Sequence, residues 1–152
     1  MFLASNTRRV TKEGYLDILA IANFVLSEAR RLIKSTSGCL LLLNSAGDQL
    51  EKVAAFGQEA TSVMNWEIEM GIIEDIIANN TAEIINDAAE DPRFIPRDYP
   101  LGSLLCIALN VKGKVSGVII ISYESIVSYT AADLKLLGAI ASQAATAIDN
   151  AL

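Results

Sequence analysis

Two short groups of side chains have residue types and spacing suited to ligand chemistry. Asp87, Glu90 and Asp91 form a carboxylate cluster, and such oxygen ligands suit a hard cation. Arg93 precedes Phe94, so a guanidinium and a planar ring could together clamp an anionic ligand. Both groups also have a structural interpretation, in which the carboxylates cap a helix and face water while Arg93 neutralises them and Phe94 fills the core. We favour the structural interpretation and predict no metal site.

Trp66 and two cysteines are the other side chains with chemical potential. Trp66 is the only tryptophan and could line a cavity, although a single tryptophan more often belongs to a core. Cys39 and Cys106 lie in apolar runs and are predicted to be buried free thiols, as in a reducing compartment. A nucleophilic thiol needs access and a lowered pKa, which apolar surroundings do not provide. Because the sequence contains no histidine, His-ligated haem, His-containing zinc sites and histidine bases are excluded. We predict no catalytic residue.

Charge and hydropathy narrow the classes of partner. The chain of 152 residues has a formal net charge of −6 and 52% hydrophobic residues. It has no run of basic residues, so it is not expected to bind nucleic acid. Between Lys52 and Arg93 the charged residues are all acidic, which would repel anionic lipids. No apolar run approaches the roughly 18 residues of a membrane span, and the N-terminus lacks the apolar core of a secretory signal. We therefore expect a cytoplasmic protein without direct membrane contact.

Apolar residues at spacings of three and four predict two long helices. The first covers residues 12–34. The second begins at Thr130, with Asp133 in position to complete a cap, and its apolar face runs from Leu134 to Leu152. Its alanine-rich part should let another helix approach closely. Because no stop signal precedes Leu152, we expect the helix to continue in a longer protein.

Short apolar runs bounded by turn residues predict two antiparallel hairpins and further short elements. The predicted strands are Cys39–Leu43, Leu50–Phe56, Ala82–Ile85, Ser103–Val111 and Val115–Tyr123, and Trp66–Met70 could be a sixth. A short helix is predicted over Gly71–Ala78, and a single helical turn could start at Asp87.

The strands near the C-terminus do not alternate between apolar and polar residues. Leu104–Leu109 and Val118–Ile121 are almost wholly apolar, so both faces of the sheet must be covered. The two long helices can cover one face, which leaves residues 57–102 for the other. That segment is irregular and rich in polar residues, so a cavity for a small ligand is expected beneath it.

Three passages, in this order and spacing, resemble the GAF domain family. They are Gly71–Glu74 with Glu83–Asp87 and Asp91–Phe94, then SLLCIALNVKGKVSGVIIIS with Gly117, then Tyr129–Leu134. The chain departs from the family at Ala108, where many members have proline. The resemblance covers residues 14–152, which are interpreted as a single domain after an N-terminal extension of residues 1–13.

The resemblance implies an α+β, GAF-like (PAS/profilin-like) fold. A central antiparallel sheet of five to six strands would carry the N- and C-terminal helices on one face and a pocket of short helices and loops on the other. Family members are regulatory modules of histidine kinases, nucleotide and diguanylate cyclases, phosphodiesterases or transcription regulators, and they often dimerise through the terminal helices. The expected ligand-binding residues are Trp66, Ile85, Asp87, Asp91, Arg93, Phe94, Leu104 and Cys106.

Several ligand classes of the family fit this sequence poorly. Of the residues typical of cyclic-nucleotide binding, only Asp133 matches. Cys106 is followed by Ile107 rather than histidine, so neither bilin nor haem is expected. Cys39 and Cys106 do not reproduce the cysteine cluster of the members that reduce free methionine sulfoxide.

Two functional hypotheses remain. The chain is a non-enzymatic sensor of an unidentified small molecule in a larger signalling protein, in which pocket occupancy changes the arrangement of the terminal helices. Alternatively, it is a ligand-free scaffold that forms a homodimer through those helices and relays signals to an attached output domain.

Overall fold

The computed structural model describes residues 11–69 and 71–151, and within these ranges it contains three helices and five strands. The helices are α1 (Lys12–Leu32), α2 (Gly71–Asn79) and α3 (Ala131–Ala151). The strands are β1 (Ser37–Leu43), β2 (Leu50–Gly57), β3 (Ala82–Ile85), β4 (Ser103–Val111) and β5 (Lys114–Tyr123). Two single 3-10 turns cover Gln58–Ala60 and Ala88–Glu90.

The helices begin and end at residues suited to those positions. Thr11 caps α1, because its hydroxyl oxygen accepts a hydrogen bond of 2.9 Å from the amide of Gly14. Thr130 and Asp133 form a reciprocal cap at the start of α3, as the sequence predicts: each side chain accepts a hydrogen bond from the other residue's amide. After α2, Asn80 adopts a φ of 50°, a left-handed conformation common after helices.

All neighbouring strands pair antiparallel, in the order β2-β1-β5-β4-β3. Lys112 and Gly113 join β4 to β5 with φ values of 54° and 75°, as expected for a tight hairpin. In β2, Val53 is an extra residue, since Leu40 pairs with Ala54 and Leu41 with Lys52. The α+β fold and its antiparallel sheet are therefore as predicted.

Both faces of the sheet are buried, which confirms the expectation from the apolar strands. On one face, α1 and α3 pack over fully buried residues of the central strands: Leu40, Leu42, Leu105, Leu109, Ile119 and Ile121. On the other face, α2 and the segment around it pack over the alternate residues: Cys39, Leu41, Leu104, Cys106, Val118 and Ile120. Each fully buried side chain of this size contributes about 1.5–3 kcal/mol of transfer free energy.

The suggested sixth strand, Trp66–Met70, is wrong over residues 66–69, which form no strand; Met70 lies outside the described residues. The segment is positioned by side-chain contacts instead, because Trp66 Nε1 donates a hydrogen bond to Glu59 and the Trp66 ring stacks on Arg97. The N-terminal extension, residues 1–13, also lies mostly outside the described residues, and α1 already begins at Lys12. The domain boundary at residue 14 stays a prediction. Over the described ranges, no helix is long and apolar enough to cross a membrane.

Candidate functional site

Irregular chain segments after β2 and around Arg97 cover the same face of the sheet as α2. A buried carboxylate, that of Glu59, holds them in place. Glu59 is 1% exposed and lies in the 3-10 turn that follows β2. Its Oε1 accepts hydrogen bonds from Trp66 Nε1 at 3.0 Å and Lys52 Nζ at 3.2 Å. Its Oε2 accepts from the Tyr99 hydroxyl at 2.5 Å, and Arg97 Nη2 lies 3.2 and 3.3 Å from the two oxygens. We call these five residues the Glu59 cluster.

Arg97 connects this cluster to the loop after β2. Its guanidinium stacks 4.1 Å from the centre of the Trp66 ring and donates to the carbonyl oxygens of Met64 and Asn65 at 2.8 and 3.2 Å. The side chain is 0% exposed, and its Nε is buried without a hydrogen-bond partner among the described residues. A charge in this position is stable only with an opposite charge and hydrogen bonds around it. Arg97 therefore fixes the backbone of a loop that has no regular secondary structure.

Two neighbours of Arg97 strengthen the attachment. Asp98 accepts hydrogen bonds from the Ser62 hydroxyl at 2.5 Å and from the amide of Val63 at 3.0 Å, and these bonds lower the pKa of Asp98. Burial and the hydrogen bond to Glu59 raise the pKa of Tyr99 well above its usual range, so the phenol stays a donor. The loop after β2 and the chain around residue 97 thus form one connected cover.

A cavity of about 520 Å³ lies between this cover and the edge of the sheet. One wall is the turn after β1 together with the start of β2, and the other is the segment 65–69. The lining residues are Asp48, Gln49, Leu50, Glu51, Lys52, Asn65, Trp66, Glu67, Ile68 and Glu69. A volume of this size is within the range of small-molecule sites, about 300–1,000 Å³. We call it the β2 cavity.

A cleft and a small void adjoin the β2 cavity through shared residues. The cleft, about 330 Å³, lies against Met64, Glu67 and Ile95, and the void of about 20 Å³ lies against Leu41 and Lys52. Asn65 lines all three spaces. The segment 64–69 is therefore a thin wall with open space on more than one side.

The predicted residues Asp91 and Arg93 meet at a different place. Arg93 donates to Asp91 at 2.8 Å, to Glu83 at 2.7 Å and to Asp75 at 2.8 Å. The hydrogen bonds to Asp91 contribute most to raising the pKa of Arg93 far above its usual range, and Arg93 in turn lowers the pKa of Asp91. The Arg93 guanidinium thus joins α2, β3 and the turn after residue 90.

The other predicted residues near Arg93 play smaller parts in this arrangement. The backbone carbonyl of Asp87 accepts from Glu90 in a 3-10 turn, and the side chain of Asp87 makes no cap hydrogen bond. Phe94 is half-buried and packs against the core under α2. Nowhere in residues 11–69 and 71–151 do three or more histidine, cysteine or acidic side chains group so that they could hold a metal ion.

Ile85, Leu104 and Cys106 lie within the core under α2. Ile85 pairs with Leu104 between β3 and β4, and Cys106 pairs with Ile120 between β4 and β5. Leu104 and Cys106 are fully buried, and burial raises the pKa of the Cys106 thiol well above its usual range. None of these three residues lines the β2 cavity.

The eight predicted residues therefore fall in three places, and Trp66 alone among them lines the β2 cavity. Sequence reasoning missed Lys52, Glu59, Arg97 and Tyr99. Glu59 is separated from Arg97 and Tyr99 by 38 and 40 residues, and no local spacing connects them. The clearest signal in the sequence was Arg97, which stands close to Tyr99 between two prolines in an irregular stretch. This pattern does not indicate which residue Arg97 pairs with.

The two long helices form a second concave surface. An apolar groove of about 370 Å³ lies between α1 and α3. Phe24, which lines it, is 65% exposed, and Leu16 on the same helix is 52% exposed. Exposed apolar side chains of this size in one area are typical of surfaces that contact another protein.

An antiparallel sheet with two helices on one face and an irregular, cavity-bearing cover on the other defines an α+β domain of GAF-like architecture. The family model described as "GAF domain" matches residues 16–149, and the chain belongs to the GAF domain family. No curated protein matches the chain significantly.

Solved structures with the same fold come from several kinds of protein. A GAF domain/HD domain protein from Geobacter sulfurreducens is 13% identical, with a TM-score of 0.77 over 91% of this chain and 96% of that one. The GAF domain region of a putative membrane protein from Geobacter sulfurreducens PCA is 22% identical, with a TM-score of 0.75 over 90% and 96%. A type II free methionine-R-sulfoxide reductase from Thermoplasma acidophilum is 15% identical, with a TM-score of 0.74 over 91% and 96%. At these identities the similarity establishes the shared fold.

Proposed function

We propose that this chain is the small-molecule-sensing, regulatory domain of a larger cytoplasmic signal-transduction protein. A ligand in the β2 cavity would change the arrangement of α1 and α3 and so bias an attached output domain. The observation that carries this proposal is the cavity itself, because one of its walls is a strand that also packs under a terminal helix. Similarity to a protein with GAF and HD domains supports the presence of an output domain.

The strand β2 provides the route from cavity to helix. Leu50 and Lys52 line the cavity, whereas Ala54 and Phe56 belong to the core under α1. The Arg30 guanidinium of α1 lies 5.0 Å from the centre of the Phe56 ring. A ligand that prefers one position of β2 would therefore also favour one position of α1, and it would shift the population by its differential affinity for the two states.

A ligand screen followed by a distance measurement tests this proposal. Thermal unfolding would be followed with nucleotides, amino acids, amines and small organic acids. For any compound that stabilises the chain, spin labels at Asp17→Cys and Ser142→Cys, both on exposed helix positions, would report the distance between α1 and α3. The native Cys39 and Cys106 are buried and should not take up label.

The expected result is a raised Tm with a changed label distance. A matched compound without effect on Tm should leave the distance unchanged. Stabilisation with an unaltered distance would contradict the coupling, and the absence of stabilisation by every class of compound would contradict sensing.

We further propose that the domain has no catalytic activity of its own and binds neither bilin nor haem. The fold is shared with a methionine sulfoxide reductase, which makes cysteine chemistry the alternative to consider. Burial raises the pKa of both Cys39 and Cys106, so neither thiol is primed as a nucleophile. Reduction of free methionine sulfoxide by the purified chain with a thiol reductant would contradict this part of the proposal.

The groove between α1 and α3 favours a second candidate function, that of a ligand-free scaffold that forms a homodimer. Phe24→Glu places a charge on the exposed large apolar side chain of the groove, which is 65% accessible. If the groove is the dimer contact, sedimentation at micromolar concentration should show a dimer for the parent chain and a monomer for the variant. Asp17→Asn, on the same helix, is the control. A parent chain that stays monomeric, also when extended at its C-terminus, would contradict the scaffold function.

A further inference from the structure

Tyr129 connects the ends of the two long helices. It lies in the loop between β5 and α3, yet it is only 5% exposed and packs into the core under α1 and α3. Its hydroxyl donates a hydrogen bond of 2.6 Å to the carbonyl oxygen of Lys34, two residues after the end of α1. Burial raises the pKa of Tyr129, so the hydroxyl remains a donor at neutral pH. One side chain thus joins the end of α1 to the start of α3.

Asn86 holds the backbone of the same tyrosine. The amide of Tyr129 donates to Asn86 Oδ1 at 2.8 Å, and Asn86 Nδ2 donates to the carbonyl oxygen of Tyr129 at 3.5 Å. An asparagine can make both bonds because its side chain carries a donor and an acceptor. Asn86 follows directly on β3, whose last residue, Ile85, is buried in the core under α2. The end of β3 is therefore fastened to the start of α3.

Ser103, the first residue of β4, fastens the same loop a second time. It is fully buried, and its hydroxyl donates to the carbonyl oxygen of Asn86 at 2.6 Å and accepts from the amide of Val127 at 2.8 Å. A methyl group on the neighbouring Gly102 would lie 2.2 Å from the carbonyl carbon of Ser125, so strand and loop are in close backbone contact. We call Asn86, Ser103 and Tyr129, with their hydrogen bonds, the Tyr129 joint.

The Tyr129 joint completes a continuous series of contacts from α2 to α1. At its beginning, Arg93 bonds to Asp75 of α2 at 2.8 Å and to Glu83 of β3 at 2.7 Å. Asn86 then connects β3 to Tyr129, and Tyr129 connects to the end of α1. None of these residues lines the β2 cavity. A displacement of α2 and β3 can therefore reach the long helices without passing through β2.

The hydrogen bonds of Tyr129 lie where water can replace them. Asn86 and Lys34 are both exposed, so their polar groups can be hydrated when the bonds to Tyr129 break. Breaking a bond costs most when it leaves a buried polar group unsatisfied, which is the situation of Glu59 and Arg97 but not of these two residues. The contacts of Tyr129 thus suit a connection that opens and closes within the folded protein.

We propose that the Tyr129 joint positions α1 and α3 relative to each other according to the position of β3 and α2. With the joint closed, these elements move together; with the joint open, α2 no longer affects the long helices. This inference goes beyond the proposed function, because it assigns positioning roles to Asn86 and Tyr129 and does not require a ligand in the β2 cavity.

Spin labels beside the joint test whether it holds the two helices together. Labels at Arg31→Cys and Lys135→Cys, both exposed positions, report the distance between the end of α1 and the start of α3. Tyr129→Phe removes the hydroxyl and keeps the ring, so the distance distribution should become broader. The control is Tyr15→Phe, which removes a hydroxyl from a partly buried tyrosine against the same core and should leave the distribution unchanged.

Amide hydrogen exchange tests the coupling to α2. The amide of Tyr129 is protected by Asn86, whereas that of Thr36, at the same end of the sheet, donates to a carbonyl oxygen of β5 at 2.8 Å. Arg93→Gln loosens α2 from β3, and exchange at Tyr129 should rise by about fivefold or more relative to Thr36. The ratio cancels a change in global stability, which acts on both amides alike. Arg31→Gln is the control and should leave the ratio within about twofold.

A variant at an exposed position completes the test without altering the core. In Asn86→Ala, exchange at Tyr129 should already be fast, and the further change Arg93→Gln should not raise the ratio again. Thermal unfolding checks that each variant is folded.

Two results would overturn the inference. An unchanged label distribution in both Tyr129→Phe and Asn86→Ala would show that the core alone holds α1 and α3. An unchanged exchange ratio in Arg93→Gln would show that α2 is not coupled to the joint. Neither result depends on the ligand screen, so the sensing function and this inference can fail separately.

Discussion

Glu59 and Arg97 show how much of the cover depends on two buried charges. Each was removed from water during folding, and each is compensated by the other and by neighbouring donors and acceptors. A pair of this kind adds little net stability relative to apolar residues of the same volume, but the loss of one partner is costly. Its effect here is to specify one position for the loop over the β2 cavity.

Removal of the Glu59 carboxylate should therefore destabilise the chain strongly. Glu59→Ala leaves the Arg97 charge buried without its partner, and we expect a loss of about 3–5 kcal/mol in the free energy of unfolding. Urea denaturation followed by Trp66 fluorescence measures it. The double variant Glu59→Leu with Arg97→Met should lose no more than the single variant, because no fully buried charge is then left behind. Lys52, the other cation of the cluster, is 29% exposed and can be hydrated. Additive losses in this cycle would contradict the account.

The stabilisation that Arg93 provides should depend on pH. Because Arg93 lowers the pKa of Asp91, the folded chain binds that proton less tightly than the unfolded chain does. The stability from Asp91 is present above its unfolded pKa of about 3.9 and is lost as the pH falls through the folded value. Arg93→Gln should cost about 1–2 kcal/mol at pH 7, and its difference from the parent should shrink below about pH 4.

Urea unfolding at pH 7 and pH 3 tests the Arg93 prediction. Arg31→Gln is the control, because Arg31 forms an exposed ion pair with Glu28 and should matter little at either pH. A difference between parent and Arg93→Gln that is as large at pH 3 as at pH 7 would show that the effect is not electrostatic.

Contacts between sequence neighbours were easier to predict at this scale than distant ones. The interpretation that Arg93 neutralises nearby carboxylates anticipated its bond to Asp91, two residues away, but not those to Glu83 and Asp75. The Glu59 cluster could not be predicted at all, because its partners come together only through the path of an irregular segment. Local spacing carries no information about such a path.

The strands and helices were predictable where one physical pattern was repeated many times. The long stripe of α1 and the apolar run of β4 each leave few alternatives for where their side chains can be buried. The segment from Trp66 to Met70 alternates large apolar residues with Glu67 and Glu69, so its local pattern favoured a strand, which does not form over residues 66–69. Its conformation depends on Glu59 and Arg97 instead.

Substitution by alanine should have opposite effects on stability at two glycines, one in a strand and one in a helix. A methyl group on Gly117 in β5 would lie 2.1 Å from the carbonyl oxygen of Leu41 in β1, so the two strands would have to separate. On Gly138 in α3 it would make an ordinary contact of 3.8 Å with Ile107. We expect Gly117→Ala to destabilise by about 2 kcal/mol or more and Gly138→Ala to stabilise by about 0.5–1 kcal/mol.

Urea midpoints of the two alanine variants, measured side by side, decide this prediction. Each variant serves as the control for the other, since both add one methyl group in place of a glycine hydrogen. A neutral Gly117→Ala would mean that β1 and β5 are not as closely paired as described.

The sheet separates two apolar cores, one under α1 and α3 and the other under α2. In a cooperative domain these two cores unfold together. Cys39 and Cys106 both lie in the layer under α2, on either side of Ile120 in the pairing of β1, β5 and β4. They are fully buried, and burial raises the pKa of both thiols. Their reactivity therefore reports the opening of that layer alone.

If both layers unfold in one cooperative step, thiol labelling should require global unfolding. At pH 8, reaction with an aromatic disulfide reagent should be slow in the native chain, and its urea dependence should give the same free energy as Trp66 fluorescence. The chain unfolded in concentrated urea, in which both thiols should react at once, is the reference. Rapid labelling of either cysteine in the absence of urea would show that α2 opens independently of the helices on the opposite face.

The two outer strands have a consequence for self-association through backbone pairing. In β2 the extra residue Val53 interrupts the ladder next to the charged pair Glu51 and Lys52, and β3 is only four residues long with Glu83 within it. Edge strands that are kinked, charged or very short are poor templates for pairing with a strand of another molecule. Chains of this kind, when crowded together on a common partner, should resist conversion into fibrils, although more than half of their residues are hydrophobic.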